Sequence, residues 1–285
     1  MTLSENAART DFAHISVRPV AGALGAEVTG CSLAGGVDSE TATEIRQPLL
    51  DHLVLFFPDQ ELTPTQLLAF AAGLGRPLQY PQVRGLPEAS MVTEVAKLEH
   101  ERVNFGGVWH TDTSYLERPP MGSMLYAVEV PPYGGDTLCA NQYLAFEALS
   151  AGMRELLGRL SCVCDSRAAS AVTREDRQRQ VGSAQKVLTA VHPVVRTHPE
   201  TGRRSLYVNY GHTVRFDGWT AAESRHLLDF LFAHQPRPEF TCRFTWSPRA
   251  LAFWDNRCTQ HNPVNDYQGL RRVMHRVTLE GDRPR

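Results

Sequence analysis

Residues 109–112 read Trp-His-Thr-Asp, so that a histidine and a carboxylate, His110 and Asp112, are separated by one residue. A distant histidine, His261, ends the stretch Trp-Asp-Asn-Arg-Cys-Thr-Gln-His at 254–261. Two imidazoles and one carboxylate can occupy one face of a metal ion and leave its other positions open. Because alternate residues of a strand point to the same side, we predict that His110 and Asp112 lie on one strand and face one cavity.

The composition of the 285-residue chain argues against several classes of partner. Its 29 Lys and Arg nearly balance 31 Asp and Glu, and no basic run indicates nucleic acid binding. No apolar run of about 18 residues predicts a membrane helix, and the first residues, MTLSENAARTDF, do not resemble a signal peptide. The chain has six cysteines and no CxxC pair, and the simplest interpretation is that they are reduced thiols. We therefore expect a cytoplasmic protein with no nucleic acid and no membrane partner.

Hydrophobic periodicity predicts a few helices among many short strands. Helices are expected at 39–52, 63–74 and 141–160 and after the capping box at 220–223. A hairpin is expected within 14–33, and strands at 53–57, 91–95, 121–130, 187–195, 205–209, 239–246, 250–254 and 272–279. Short strands in this number favour a barrel or sandwich, and the length does not require two domains. We expect a single domain over 1–285.

Two segments lack a regular apolar pattern. Residues 76–108 are rich in Pro and Gly and directly precede the His-x-Asp step, which suggests an active-site lid. A solvated connector is the alternative for this segment. Residues 165–186 are polar and highly charged, so we expect an exposed and mobile insertion there.

Two arginines downstream of His261 suggest a site for anions. Arg272 and Arg276 are four residues apart and therefore share one side of the predicted strand. Arginine binds carboxylates through two parallel hydrogen bonds, which suits one or two anionic ligands beside a metal. A solvated basic edge strand is the alternative for the arginines, and a hydrolytic zinc site is an alternative use of the histidines and carboxylate. Chain order alone does not separate the metals.

Three motifs closely resemble the taurine dioxygenase family of Fe(II)/2-oxoglutarate-dependent oxygenases. They are the Trp-His-Thr-Asp stretch, Gly-Gly-Asp-Thr at 134–137, and the C-terminal motif from Trp254 to Arg276, within a resemblance that covers about Val17 to Asp282. The resemblance implies a mainly β fold with flanking helices, a double-stranded β-helix of the jelly-roll, cupin-like kind.

The same resemblance implies the cofactors and the residues that bind them. It places Fe(II) on His110, Asp112 and His261. It also places the far carboxylate of 2-oxoglutarate against Arg272 and Thr137. In such enzymes 2-oxoglutarate and O2 are converted to succinate and CO2 while a C–H bond of the substrate is hydroxylated. Relatives that halogenate replace the carboxylate ligand, so the presence of Asp112 favours hydroxylation.

The substrate expected from the resemblance is a small organic acid. Arg276 matches the arginine that meets the sulfonate in taurine dioxygenase, so a carboxylate, sulfonate or sulfate is expected. The other predicted substrate residues differ from that enzyme and favour a larger acid than taurine. They are Tyr80, Val83, Gly106, Tyr115 and His212, with Gly106 and Gly107 expected to open room beside the metal.

Three alternatives stay open at this point. The same iron site could serve desaturation or oxidative decarboxylation in specialised-metabolite biosynthesis, because the outcome depends on where the substrate carbon lies. A metal-binding jelly roll without turnover is less favoured, because the three metal ligands and Arg272 are all present. Family members commonly form dimers or tetramers, so a homo-oligomer is expected by analogy alone.

Overall fold

The computed structural model describes residues 12–81, 83–168 and 186–285. The described strands are β1 (Ser16–Pro19), β2 (Ala26–Thr29), β3 (Val54–Phe57), β4 (Pro77–Leu78), β5 (Thr93–Lys97), β6 (Gly122–Glu129), β7 (Thr137–Asn141), β8 (Ser161–Asp165), β9 (Thr189–Pro193), β10 (Val195–Thr197), β11 (Arg204–Leu206), β12 (Thr213–Phe216), β13 (Thr241–Phe244), β14 (Leu251–Asp255), β15 (Thr259–Pro263) and β16 (Arg272–Leu279). The described α-helices are α1 (Ser39–His52), α2 (Pro64–Leu74), α3 (Gln142–Glu147), α4 (Ala151–Leu157) and α5 (Ala221–His234).

Two sheets form the body of the fold. The large sheet has the strand order β1-β2-β3-β14-β6-β16-β4, and β5 also pairs with β16. The small sheet has the order β13-β7-β15. The pair β2–β3 is parallel, whereas the other pairs within these two sheets are antiparallel. This arrangement confirms the predicted mainly β jelly roll with flanking helices.

Both faces of the large sheet are buried, and the alternation along its central strands explains how. Leu55 and Phe57 of β3 point into the core that the sheet shares with α1 and α2. Val54 and Phe56 point into a second core that the large sheet shares with the small sheet. A strand buried on both faces has a continuous apolar sequence instead of an alternating one. Residues 53–57 have this pattern, and the predicted strand is confirmed.

A third core lies beside the jelly roll. It joins α3, α4 and α5 to the sheet β12-β8-β9 and the hairpin β10-β11. The capping box predicted at the start of α5 is present, with Thr220 and Glu223 each bonded to the other's backbone N–H. The single helix predicted at 141–160 is wrong, because the chain breaks into α3 and α4, and the Ser150 hydroxyl caps α4.

Two further expectations concern the charged segment that follows β8 and membrane helices. The predicted mobile insertion at 165–186 lies largely in 169–185, outside the described residues. Across the described ranges, none of the helices has both the length and the apolar character that a membrane crossing requires.

A buried charge network fixes the turn between β14 and β15. Asp255 is fully buried and accepts hydrogen bonds from the Arg257 guanidinium at 2.8 and 2.6 Å and from His198 Nε2 at 3.0 Å. Arg257 also donates to Glu200 at 2.6 Å, and Arg46 donates to the same carboxylate at 2.8 Å. Because a buried charge is costly unless it is paired, each member of the network depends on the others.

We expect Arg257→Met to lower the free energy of unfolding by about 3–5 kcal/mol, because it leaves the buried Asp255 carboxylate without its main partner. Arg249→Met is the matched control, since Arg249 pairs with Asp59 at the surface, where the two side chains are 52% and 76% exposed. The control is expected to cost less than about 1 kcal/mol. Denaturant unfolding of both variants makes the measurement, and similar losses in the two would contradict the expectation.

Candidate metal site

A short backbone bridge brings the two halves of the site together. The N–H of His110 donates to the carbonyl of His261 at 3.1 Å, and the N–H of His261 donates back to His110 at 2.9 Å. His261 lies on β15, so this bridge adds His110 to the edge of the small sheet. The predicted strand across His110 and Asp112 is wrong. Asp112 lies in a turn directly after the bridge, where Thr113 has a φ of 44°.

The turn nevertheless directs the Asp112 carboxylate at both imidazoles. Asp112 Oδ1 lies 3.7 Å from His110 Nε2 and 4.0 Å from His261 Nε2. One potential ligand atom from each residue lies within 4.8 Å of the other two, and all three residues are buried. Two imidazole nitrogens and one carboxylate oxygen at such spacing suit a divalent transition metal.

The protonation states of the cluster also suit a metal. Burial raises the pKa of Asp112, but the neighbouring His261, Arg276 and His110 outweigh burial, and the pKa is lowered to about 2. Burial and the proximity of His110 lower the pKa of His261 to about 3. At neutral pH Asp112 is therefore a carboxylate and His261 a neutral imidazole, the forms in which these residues bind metals.

Hydrogen bonds assign the ring nitrogens. His110 Nδ1 lies 2.7 Å from the carbonyl of Val108, which can only accept, so Nδ1 carries the proton and Nε2 has the lone pair. A carbonyl partner of this kind is what a metal-binding histidine commonly has on its second nitrogen. The other ring differs, since His261 Nδ1 is buried and has no hydrogen-bond partner among the described residues.

Arg272 lines the cavity between the two sheets. Its Nε and Nη2 atoms are buried without a hydrogen-bond partner in the described part of the chain, and burial lowers the pKa of its guanidinium. Thr137 lines the same cavity, and Trp246 Nε1 donates to its hydroxyl oxygen at 3.0 Å. The hydroxyl proton of Thr137 is thus available for another acceptor. A buried arginine with two unused donors fits a carboxylate ligand.

Arg276 lies nearer to the metal cluster than Arg272. Its Nη1 is 3.5 Å from Asp112 Oδ1, and its guanidinium stacks 3.7 Å above the ring centroid of Tyr80. Phe105 lies on another side, with its ring centroid 5.5 Å away. The Nε atom has no hydrogen-bond partner among the described residues. The structure therefore places a second buried cation beside the predicted metal ligands.

The other predicted substrate residues divide into two groups. His212 packs edge-on against His110, with 6.0 Å between the ring centroids, and against Tyr115, with 4.9 Å between them. His212 and Tyr115 therefore lie close to the cluster. Gly106 does not open room as expected, because a Cβ there would lie 3.0 Å from His110 Cε1. Val83 makes its described contacts locally, with the Tyr80 carbonyl 3.5 Å from its backbone nitrogen.

Several residues at the site were not singled out from the sequence. Ser123 donates to Asp112 Oδ2 at 2.6 Å, Trp246 bonds to Thr137, and Phe105 flanks Arg276. These side chains lie in separate segments of the chain, and no motif or regular spacing in the sequence marks them. A second cluster of metal-capable side chains, His198, Asp255 and Cys258, is occupied by the buried charge network.

Two curated relatives are similar to this chain over nearly its whole length. The protein described as "Alpha-ketoglutarate-dependent sulfate ester dioxygenase" from Pseudomonas putida is 36% identical over 291 residues, which cover 98% of this chain and 95% of that protein. The "Alkylsulfatase" of Acinetobacter baylyi is 34% identical over 277 residues, which cover 94% of this chain and 86% of that protein.

A solved structure and a family comparison agree with these relatives. The crystal structure of a taurine dioxygenase from Burkholderia xenovorans has a TM-score of 0.81 and 37% identity, over 95% of this chain and 93% of that chain. Residues 16–278 match the family described as "Taurine catabolism dioxygenase TauD, TfdA family". The chain therefore belongs to the TauD/TfdA family of 2-oxoglutarate-dependent non-heme iron dioxygenases.

Proposed function

We propose that His110, Asp112 and His261 hold Fe(II), that Arg272 and Thr137 bind the far carboxylate of 2-oxoglutarate, and that the enzyme oxidises an organic sulfate ester. The observation that carries the proposal is a cluster of three buried ligands within reach of two buried arginines. A zinc hydrolase would not need a second buried arginine in addition to one that binds its substrate. The family comparison also gives no support to hydrolysis.

The chain's own residues bind and orient the reactants. When bound, Fe(II) with 2-oxoglutarate and O2 supplies the oxidation of an unactivated C–H bond. Arg272 offers two parallel donors to a carboxylate, and the Thr137 hydroxyl adds a third. The apolar lining from Val95, Leu125 and Trp254 limits water in the cavity and strengthens these charge interactions.

The substrate's anionic group is assigned to Arg276. The family relationship alone allows carboxylates, sulfonates and sulfates, and two of the most similar curated relatives are named for sulfate esters or alkyl sulfates. A sulfate monoester carries a single delocalised charge, which suits a guanidinium stacked on Tyr80. Placing the sulfate there brings the adjoining carbon towards the metal ligands, since Arg276 is 3.5 Å from Asp112.

Hydroxylation of that carbon would cleave the ester. One oxygen atom of O2 enters the C–H bond beside the ester oxygen, and the other enters succinate as 2-oxoglutarate loses CO2. The hydroxylated carbon then loses its hydroxyl proton, the carbon–oxygen bond to sulfate breaks with its electron pair on sulfate, and an aldehyde forms. An alkyl sulfate, 2-oxoglutarate and O2 thus give an aldehyde, hydrogen sulfate, succinate and CO2. Desaturation or decarboxylation would be seen as different products.

We assign the segment 76–108 as a lid on this site, and we assign the whole chain as a single domain. The lid assignment is supported by Tyr80 and Phe105, which both belong to the segment and flank Arg276. The pairing of β5 with β16 attaches the segment to the strand that carries both arginines. A dimer or tetramer and a cytoplasmic location stay predictions.

Arg272→Met is expected to weaken 2-oxoglutarate binding about 10- to 100-fold, because a charge-assisted pair of hydrogen bonds is lost. The measurement titrates 2-oxoglutarate into the Fe(II)-loaded protein without O2 and follows the visible charge-transfer band. Arg271→Met is the control, since the neighbouring Arg271 is 44% exposed and pairs with Glu129 at the surface. Equal affinities in the two variants would remove Arg272 from the cofactor site, and no band in the wild type would remove the proposed function.

With linear alkyl sulfates, the wild-type enzyme is expected to release succinate, aldehyde and sulfate in equal amounts, and to prefer these substrates to taurine. Arg276→Met is expected to raise KM for the alkyl sulfate about tenfold or more while the affinity for 2-oxoglutarate changes little, because the carboxylate of 2-oxoglutarate is assigned to Arg272 and not to Arg276. An unchanged KM in this variant, or succinate release with taurine and none with alkyl sulfates, would refute the substrate assignment.

A further inference from the structure

A chain of three hydrogen bonds runs from the core of the fold to the back of Asp112. Trp254 Nε1 donates to Asn256 Oδ1 at 3.0 Å, Asn256 Nδ2 donates to Ser123 Oγ at 2.8 Å, and Ser123 Oγ donates to Asp112 Oδ2 at 2.6 Å. Both Ser123 and Asn256 are fully buried. Water therefore cannot easily replace any of these partners.

The chain can run in one direction only. An indole N–H is a donor and never an acceptor, so the Trp254 contact identifies the oxygen of the Asn256 amide. The amide nitrogen of Asn256 must then be the atom that meets Ser123. Because the serine oxygen already accepts this bond, its single proton is directed to the Asp112 carboxylate.

As a result, the two carboxylate oxygens of Asp112 have different contacts. Oδ2 is held by Ser123, whereas Oδ1 is the oxygen that faces His110 Nε2 at 3.7 Å and His261 Nε2 at 4.0 Å. Asp112 itself lies in a turn and not on a strand, so no sheet pairing determines how its side chain is rotated. The hydrogen bond from Ser123 to Oδ2 fixes this rotation from one side, and the Arg276 guanidinium, with Nη1 3.5 Å from Oδ1, lies on the other.

We infer that Ser123 and Asn256 are positioning residues for the metal ligand Asp112, with Asn256 acting through Ser123. They hold Oδ2 in a hydrogen bond and leave Oδ1 as the oxygen that would bind the metal, so that the carboxylate would leave room there for 2-oxoglutarate and O2. The inference rests on the proposed metal site. Asn256 directly follows the end of β14, where its side chain reaches both Trp254 and Ser123.

The test is the affinity of the metal-free, full-length protein for Mn(II), measured by electron paramagnetic resonance of the unbound ion, beside the thermal midpoint of each metal-free variant. Ser123→Ala is expected to weaken Mn(II) binding about tenfold or more, the effect typical of partners that orient metal ligands. Ser123→Cys, which keeps the shape but donates only weakly, is expected to fall between Ser123→Ala and the wild type.

Asn256→Leu tests the direction of the chain. It is expected to weaken Mn(II) binding, because the serine hydroxyl is then no longer oriented. Since Asn256 acts only through Ser123, the double variant with Ser123→Ala is expected to bind Mn(II) as the Ser123→Ala single variant does. Ser224→Ala is the matched control, because Ser224 is equally buried and its hydroxyl bonds the Thr220 carbonyl in α5, away from the site.

Three outcomes have different meanings. Absence of stoichiometric Mn(II) binding in the wild type would overturn the proposed metal site itself. Wild-type binding with Ser123→Ala and Ser123→Cys both within twofold of it, or a loss in Ser224→Ala as large as that in Ser123→Ala, would overturn the positioning role alone. Additive losses in the double variant would overturn the action of Asn256 through Ser123.

Discussion

The site depends on two backbone hydrogen bonds between His110 and His261, at 3.1 and 2.9 Å. These residues are far apart in the chain, and the bridge makes their backbones neighbours, so that their side chains lie together. The bridge extends the small sheet by one residue at the edge of β15. It therefore places both imidazoles on a rigid element, and the tight turn that follows is enough to bring in Asp112. Rigid support of this kind is what accurate positioning of metal ligands requires.

The cavity beside this bridge exists because successive side chains of β16 point to opposite faces of the large sheet. Arg272, Met274 and Arg276 point between the two sheets, where Met274 belongs to the shared core and the two arginines line the cavity. The next residues along the strand, including Val277, are directed to the opposite core under α1 and α2. One strand thus supplies two buried cations four residues apart on the same face, and each has at least one donor atom without a hydrogen-bond partner among the described residues. Such cations are costly in a folded protein unless an anion completes them.

Buried charges elsewhere in the molecule show the contrast. Asp255 and Arg257 are as buried as the arginines of the cavity, yet their hydrogen bonds are met within the chain by each other, by His198 and by Glu200. That network stabilises the turn that leads into β15, and within the described part of the chain none of its buried side-chain nitrogen or oxygen atoms lacks a hydrogen-bond partner. The two sets of buried charges differ in this respect, and the donor atoms without a partner on Arg272 and Arg276 are the ones that the proposed function assigns to anionic ligands.

The sequence by itself determined the secondary structure where local signals are strong, and the identity of the candidate ligands. The apolar run at 53–57, the helix predicted at 63–74, the capping box before α5 and the strand at 272–279 follow from local patterns, and all are present. The spacing of His110, Asp112 and the distant His261 was enough to suggest one metal site. Local patterns failed at the break between α3 and α4, where a single serine cap outweighs the helical period.

Only the tertiary structure decided how these residues meet. Asp112 reaches the imidazoles from a turn and not from the expected strand, because the edge of the small sheet ends at His110. Gly106 lies against the His110 ring where open space was expected. Ser123 carries no motif, and its role depends on the register that pairs it with Trp254 across β6 and β14. Contacts between strands distant in sequence are set by register and packing, and neither is encoded in the spacing of residues along one segment.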